Sequence, residues 1–247
     1  MSLPVIAIPE DTIKLWGVAK PVTIRPYLVG EEKLLLIAQQ TNDDAEVKKA
    51  VKQIIRRCTF DGVNPETLPS FDIEWLFLQL RCRSVSNMIE TNFKCQNIVP
   101  NAGTAVEGQS VEGLTHVCNT TVPINIDIND IKMTVPEGHT NKIWLNDDLG
   151  VTMKYPTADM VETDDFVATL IKHLDTVFTK AGDVTEVSET SLPEVTEWVN
   201  TLSLQHVQKI RQFFDTMPRL AYTFTFLCPK CGYTEAVTLQ GLPDFFD

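Results

Sequence analysis

Tyr222-Thr223-Phe224-Thr225-Phe226-Leu227-Cys228-Pro229-Lys230-Cys231-Gly232 is the stretch on which the reading of this chain turns. Its first six residues are β-branched, aromatic or apolar and predict a strand; Thr234 to Leu239 predicts a second one. Between them, two cysteines separated by two residues can grip one metal ion, and the glycine after the second relieves the tight turn. One such knuckle supplies two ligands. A structural zinc takes four in tetrahedral geometry, so a counterpart is required.

Working backwards, Cys95 and Cys118 are the natural other pair. Asn92 to Cys95 reads as a strand, and residues 97–113, rich in Asn, Gly and Ser, read as a long loop. His116-Val117-Cys118 leads into Val122 to Ile131, where Val122, Ile124, Ile126 and Ile128 recur with period two, the mark of a half-exposed strand. The two regions match: Thr121 and Ile124 follow Cys118 at +3 and +6, and Thr234 and Val237 follow Cys231 at the same distances. Each is strand, cysteine, turn, cysteine, strand, although 22 residues separate Cys95 from Cys118. The expectation is one all-thiolate zinc site built from Cys95, Cys118, Cys228 and Cys231. Four thiolates leave no open position, so the metal would be structural. A thioredoxin-like redox pair needs a helix N-terminus to depress the thiol pKa, whereas strands flank this one. His116 is an alternative fourth ligand. Cys58 and Cys82 fall among apolar residues on predicted helices and read as buried free thiols.

Helical patterns surround these β segments. Glu31 to Gln40 and Ala45 to Arg57 carry apolar residues at helical spacing, and Asp72 to about Val85 is apolar on most faces, which predicts a buried helix. From Ala158, the residues Met160, Val161, Val167, Leu170, Ile171, Leu174, Val177 and Phe178 predict one or two helices. Ser191-Leu192-Pro193-Glu194 is a capping box with proline in the first turn, so a helix starts there. Leu204 to Asp215 predicts another, ended by Pro218. Ile143 to Leu145 and Val151 to Tyr155 are β-like around an acidic turn at Asp147-Asp148. Residues 1–30, broken by Pro4, Pro9, Pro21 and Pro26, predict an extended arm suited to an edge or clamp.

The fold expected is therefore α+β: helical layers around a small zinc-ribbon-like β-unit formed from two separated segments. Its parts are an arm at 1–30, helices at 31–90, a β-unit at 91–155, helices at 156–219, and the second knuckle with its tail at 220–247, all in one compact domain.

Composition narrows the function classes. The chain has 247 residues, 43% apolar, with 33 acidic against 21 basic side chains and a formal charge of −12. That balance disfavours nucleic-acid binding by counterion release and attachment to an anionic membrane. The longest apolar run near the N-terminus, Leu34 to Ala38, is far short of the roughly 20 residues of a membrane span. No secretory pattern opens the chain, and a reducing cytoplasm is expected. No nucleophile elbow, phosphate loop, dinucleotide fingerprint or metalloprotease spacing of His116, His139, His173 and His206 occurs. The acidic groups Asp147-Asp148 and Glu162, Asp164 and Asp165 read as solvated turns and helix ends. The expectation is a protein that is not an enzyme.

Two segments carry a resemblance. Val22-Thr23-Ile24-Arg25-Pro26-Tyr27-Leu28-Val29-Gly30-Glu31-Glu32-Lys33-Leu34-Leu35-Leu36 is one. The knuckle segment from Tyr222 to Gly232, closing on Leu239-Gln240-Gly241-Leu242-Pro243-Asp244-Phe245-Phe246, is the other. With the helices between them and the paired cysteines, the chain resembles the baseplate hub proteins of T-even-like contractile-tailed bacteriophages, a family of hub subunits and hub assembly chaperones. The resemblance implies a role in tail baseplate assembly, with other hub proteins as partners, in the host cytoplasm during assembly or in the virion baseplate. It leaves open whether the protein departs or stays as a permanent hub subunit. A zinc-ribbon adaptor in nucleic-acid processing is the reading from another class, and the acidic charge argues against it.

Overall fold

In the computed structural model, the residues described are 6–41, 43–100, 115–157 and 165–241. The chain begins with the hairpin of β1 (Asp11–Ile13) and β2 (Val22–Ile24), whose strands pair only three residues deep. Three helices follow: α1 (Val29–Gln40), α2 (Asp44–Cys58) and α3 (Ser70–Ser84). Asp43 caps α2 by accepting from the Ala45 N–H, and Arg56 and Arg57 sit in its last turn, where positive charge meets the helix dipole favourably. The extended segment at the N-terminus is not a free clamp. Ile13, Leu15, Val22, Ile24 and Tyr27 are buried against Ile54, Ile55 and Cys58 of α2 and against Ile73, Leu76 and Leu80 of α3. Its prolines bound the strands, while the β-branched side chains between them find a core.

Asp72 ties this segment down. It is fully buried, and its carboxylate accepts the backbone N–H groups of Trp16 and Gly17 at 2.8 and 2.6 Å. Burial pushes its pKa up, and the two N–H groups pull it back down. A Cβ on Gly17 would sit 2.9 Å from both the Asp72 carboxylate and Pro69, so glycine is needed for the close approach.

The middle of the chain is a small sandwich of two hairpins. β3 (Met88–Lys94) pairs with β6 (Thr121–Asp127), and β12 (Arg219–Leu227) pairs with β13 (Thr234–Gln240) over seven residues each, all antiparallel. β7 (Lys132–Thr134) extends the second hairpin on the far side of β12. Inward-facing Ile89, Ile126, Leu220 and Leu239 are buried together with Ile128 and Ile131 and with Leu78 of α3. α3 is thus wedged between two cores, which is why most of its faces are apolar. Within the stretch expected to be loop, β4 (Ile98–Pro100) pairs with β5 (Thr115–Val117); residues 101–114 lie outside the described part.

A second sheet stands apart from the sandwich. β8 (Lys142–Trp144), β9 (Leu149–Met153), β10 (Leu174–Thr179) and β11 (Val184–Glu186) form it in the order β11-β10-β9-β8. α4 (Phe166–His173), α5 (Leu192–Asn200) and α6 (Leu204–Asp215) cover it around Leu145, Val151, Leu170, Val199, Ile210 and Phe213. Two expectations are corrected here. β8 and β9, expected within the β-unit of residues 91–155, pair with each other and, through β9, with β10, and not with the strands that flank the four cysteines. Leu174, Val177 and Phe178 lie on a strand, not on a continuing helix: their spacing is helical, but pairing with β9 and β11 overrides it. Gly150 permits that pairing, since a Cβ there would run into the Phe178 ring. α5 starts in the expected capping box, with the Glu194 carboxylate accepting from the Ser191 N–H and hydroxyl. The terminal segment 242–247, with Phe245 and Phe246, lies outside the described residues, as do Met160, Val161, Glu162 and Asp164.

A chain of hydrogen bonds links the N-terminal segment to α6. The Trp16 side chain donates to the Tyr155 hydroxyl, which lies 2.9 Å from His139 Nε2. His139 Nδ1 lies 2.9 Å from Thr216 Oγ1, which itself donates to the Gln212 carbonyl at 2.7 Å. Only neutral His139, protonated on Nδ1, lets Tyr155 donate and Thr216 accept. Burial lowers its pKa, as it does that of His173 under Phe214. The unfolded chain therefore binds more protons than the folded one below about pH 6.5. Stability is full above that pH and falls as pH drops through the window beneath it. The expected result is a melting temperature that declines from pH 7 to 5.5, with a shallower decline in His139→Gln. Calorimetry showing equal slopes in both proteins would remove His139 as a source.

Candidate metal centre

The four cysteines reach one place because both hairpins of the sandwich end the same way. Lys94↔Thr121 is the last pair of β3–β6, and Leu227↔Thr234 is the last pair of β12–β13. Cys95 and Cys228 are the next residues; Cys118 and Cys231 each lie three residues before the returning strand. The backbone repeats as well. Cys95 N–H donates to the Thr120 carbonyl at 2.9 Å and Asn119 N–H to the Cys95 carbonyl at 3.0 Å. In the other hairpin, Cys228 N–H donates to the Tyr233 carbonyl at 2.8 Å and Gly232 N–H to the Cys228 carbonyl at 2.9 Å. Gly232 has φ of 72° and Asn119 has φ of 49°, so asparagine takes the left-handed position that glycine takes in the second knuckle.

All four sulphurs lie within 4.8 Å of one another. Cys95 Sγ is 3.7 Å from Cys231 Sγ, and Cys118 Sγ is 3.8 Å from Cys228 Sγ. A tetrahedron with Zn–S bonds of about 2.3 Å has edges of about 3.8 Å, so the spacing suits a metal. It does not suit disulfides, whose sulphurs sit about 2.05 Å apart. Cys95, Cys118 and Cys228 are buried with Val122 and Phe226, and half-buried Phe93, Ile124 and Phe224 close the apolar shell. Phe93 meets Phe224 and Phe226 with ring centroids 5.7 and 5.8 Å away.

Donors converge on the sulphurs. Backbone N–H groups of Cys231 and Lys230 stabilise the Cys228 thiolate against the cost of burial and bring its pKa down to about 6. The Thr120 hydroxyl, 3.2 Å from Cys118 Sγ, lowers the Cys118 pKa together with the Thr120 N–H. Burial dominates at Cys95 and pushes its thiol up to about 12. Asn97 Nδ2 donates to Cys231 Sγ at 3.7 Å. Such N–H···S contacts orient ligand sulphurs in a metal site.

The other candidates lie elsewhere. His116 is on exposed β5 opposite Val99 and outside the sulphur cluster. Cys58 is sealed in the core of the N-terminal part, where burial raises its thiol to about 11, and Cys82 is half-buried near Leu78. Asp147 and Asp148 lie in the turn between β8 and β9, and Asp165 caps α4 by accepting from the Val167 N–H. No local pattern marks the bonding roles of Asp72 and His139, because the partners lie 55 or more residues away in one case and up to 77 in the other.

A family model described as T4 bacteriophage base plate protein matches residues 8–247. The baseplate hub assembly protein gp26 of Enterobacteria phage T4 is 22% identical over 231 residues, which are 93% of this chain and 94% of that relative. No solved structure matches the chain at a significant level.

Proposed function

We propose, from the premise that this chain belongs to the T4 bacteriophage base plate protein family, that it acts in assembly of the baseplate hub by binding other hub proteins. The observation that carries this reading is the near end-to-end correspondence with a hub assembly protein, 93% of one chain against 94% of the other. The role is non-catalytic. Its conspicuous polar side chains already have structural work: Asp165 and Glu194 cap helices, Asp72 anchors a loop, and His139 completes a hydrogen-bond chain. Cys95, Cys118, Cys228 and Cys231 hold one structural zinc, and the two knuckles make a zinc-ribbon-like unit within one compact domain. The metal adds closed tetrahedral coordination that joins residues 95–118 to the end of the chain.

Charge fits protein partners. Residues 1–86 carry eleven acidic and eleven basic side chains, whereas residues 87–247 carry 22 acidic and 10 basic ones. That part of the chain thus offers partners a surplus of negative charge, which favours a basic surface and weakens with salt. No described helix is long and apolar enough to cross a membrane; the protein works in the host cytoplasm while tails are built.

Quantitative mass spectrometry of mature phage particles beside tail assembly intermediates tests the proposal. Presence in intermediates and absence from particles is the expected result. A fixed copy number in the particle would make it a permanent hub subunit instead, and absence from both would return the nucleic-acid adaptor to the front.

A further inference from the structure

We infer that the four-cysteine centre is a clamp that sets the direction of the β4–β5 hairpin, so that loss of its metal frees this hairpin while the rest of the sandwich stays folded. The inference rests on the zinc reading above and assigns the metal a regulated object. The second knuckle has two residues between its ligands, and the first has 22. The described ends of that insertion are β4 and β5, which pair with each other. Ile98, Pro100, Thr115, His116 and Val117 are all exposed, and the cross-strand pair Ile98 and Val117 is 66% and 38% exposed. A two-stranded ribbon is marginal by itself.

Among the described residues, three of its attachments run through the centre. Cys118 N–H donates to the Asn97 carbonyl at 2.8 Å, the Asn97 side chain donates to Cys231 Sγ, and half-buried Val99 packs on the cysteine cluster. With a metal bound, Cys95 and Cys118 are each held to Cys228 and Cys231, and both ends of the insertion are fixed to the sandwich. Without it, nothing bridges the two pairs of sulphurs, and the ends of the insertion lose that tie to Cys228 and Cys231. The opposite end of the sandwich does not depend on the sulphurs. Ile89, Ile126, Ile128, Ile131, Leu220 and Leu239 bury one another and Leu78 of α3. Stability is therefore graded along the sandwich, lowest at the knuckles. In the loaded protein the β4–β5 hairpin holds its apolar pair in one direction; in the stripped protein it does not.

Hydrogen exchange followed by mass spectrometry tests this on the full chain, zinc-loaded and chelator-stripped, below the melting temperature of the stripped form. Metal analysis accompanies each sample. Amides of residues 95–100 and 115–120 are expected to lose essentially all protection after stripping, whereas those of 88–92, 124–128 and 219–223 stay protected, though less than in the loaded protein. Re-added zinc restores the slow exchange. Equal loss of protection in hairpin and sandwich overturns the inference, because the metal then holds the whole unit. Unchanged exchange in a verified stripped sample overturns it too, because the hairpin then needs no clamp. A chain that neither contains zinc nor binds it when added fails on the metal reading itself, and the metal analysis distinguishes that result from the other two.

Discussion

Stripping the proposed zinc is expected to lower the melting temperature by more than about 10 °C. Structural zinc contributes on the order of 10 kcal/mol to folding in small zinc-dependent units. Part of that is offset here, because the sandwich keeps an apolar core around Ile126 and Leu220 without help from the sulphurs. If half survives, about 5 kcal/mol at roughly 2–4 °C per kcal/mol gives a shift of about 10–20 °C. Calorimetry with and without chelator, beside a count of zinc per chain, makes the measurement. One zinc per chain and a large downward shift are the expected pair. Cys228→Ser should melt like the stripped protein, whereas Cys58→Ser should keep one zinc, since Cys58 lies in the other core. A chain free of zinc and indifferent to chelation would sink the metal centre.

Asp72→Ala is expected to cost about 3 kcal/mol and to lower the melting temperature by roughly 6–12 °C. The carboxylate is fully buried, and removing it leaves the Trp16 and Gly17 N–H groups without their acceptor. An unsatisfied buried donor costs about 1–3 kcal/mol. The offset is the cost of burying the carboxylate itself, which shows as its raised pKa. Asp72→Asn keeps one acceptor oxygen and should lose about half as much. The damage should spread to the hydrogen-bond chain that starts at Trp16, so tryptophan fluorescence should report a loosened environment before global unfolding. Unchanged melting in Asp72→Ala would mean that the segment around Leu15 is held by its apolar packing alone.

Several features were legible because their signals are local. α6 runs over Leu204–Asp215 as its apolar spacing predicts, and α5 begins at the capping box of Ser191 and Glu194. The +3 and +6 alignment after Cys118 and Cys231 marks two hairpins with the same ending, and the structure shows matching hydrogen bonds there. Features whose local signal is overridden by pairing were misread. Leu170, Ile171, Leu174, Val177 and Phe178 satisfy helical spacing, yet the helix stops at His173 and β10 begins at Leu174, because neighbouring strands offer ladder partners. β8 and β9 sit beside the knuckle strands in sequence but join β10 and β11 instead.

By itself, the sequence determined what depends on neighbours a few residues away: helix periods, caps, the alternation of strands, the cysteine spacing and the balance of charge. It also marked which cysteines differ from the rest, since Cys95, Cys118, Cys228 and Cys231 flank strands and Cys58 and Cys82 lie on helices. Only the tertiary structure decided which strands share a sheet, that the N-terminal segment is sealed under Asp72, and that 22 intervening residues leave Cys95 and Cys118 together at the base of an exposed hairpin. The physical reason is range. Local preferences act over one or two turns, whereas the pairing of Met153 with Leu174, the bond of Gly17 to Asp72 and the approach of Cys95 to Cys231 join residues far beyond that range, where only the packing of the whole chain selects among partners of equal local merit.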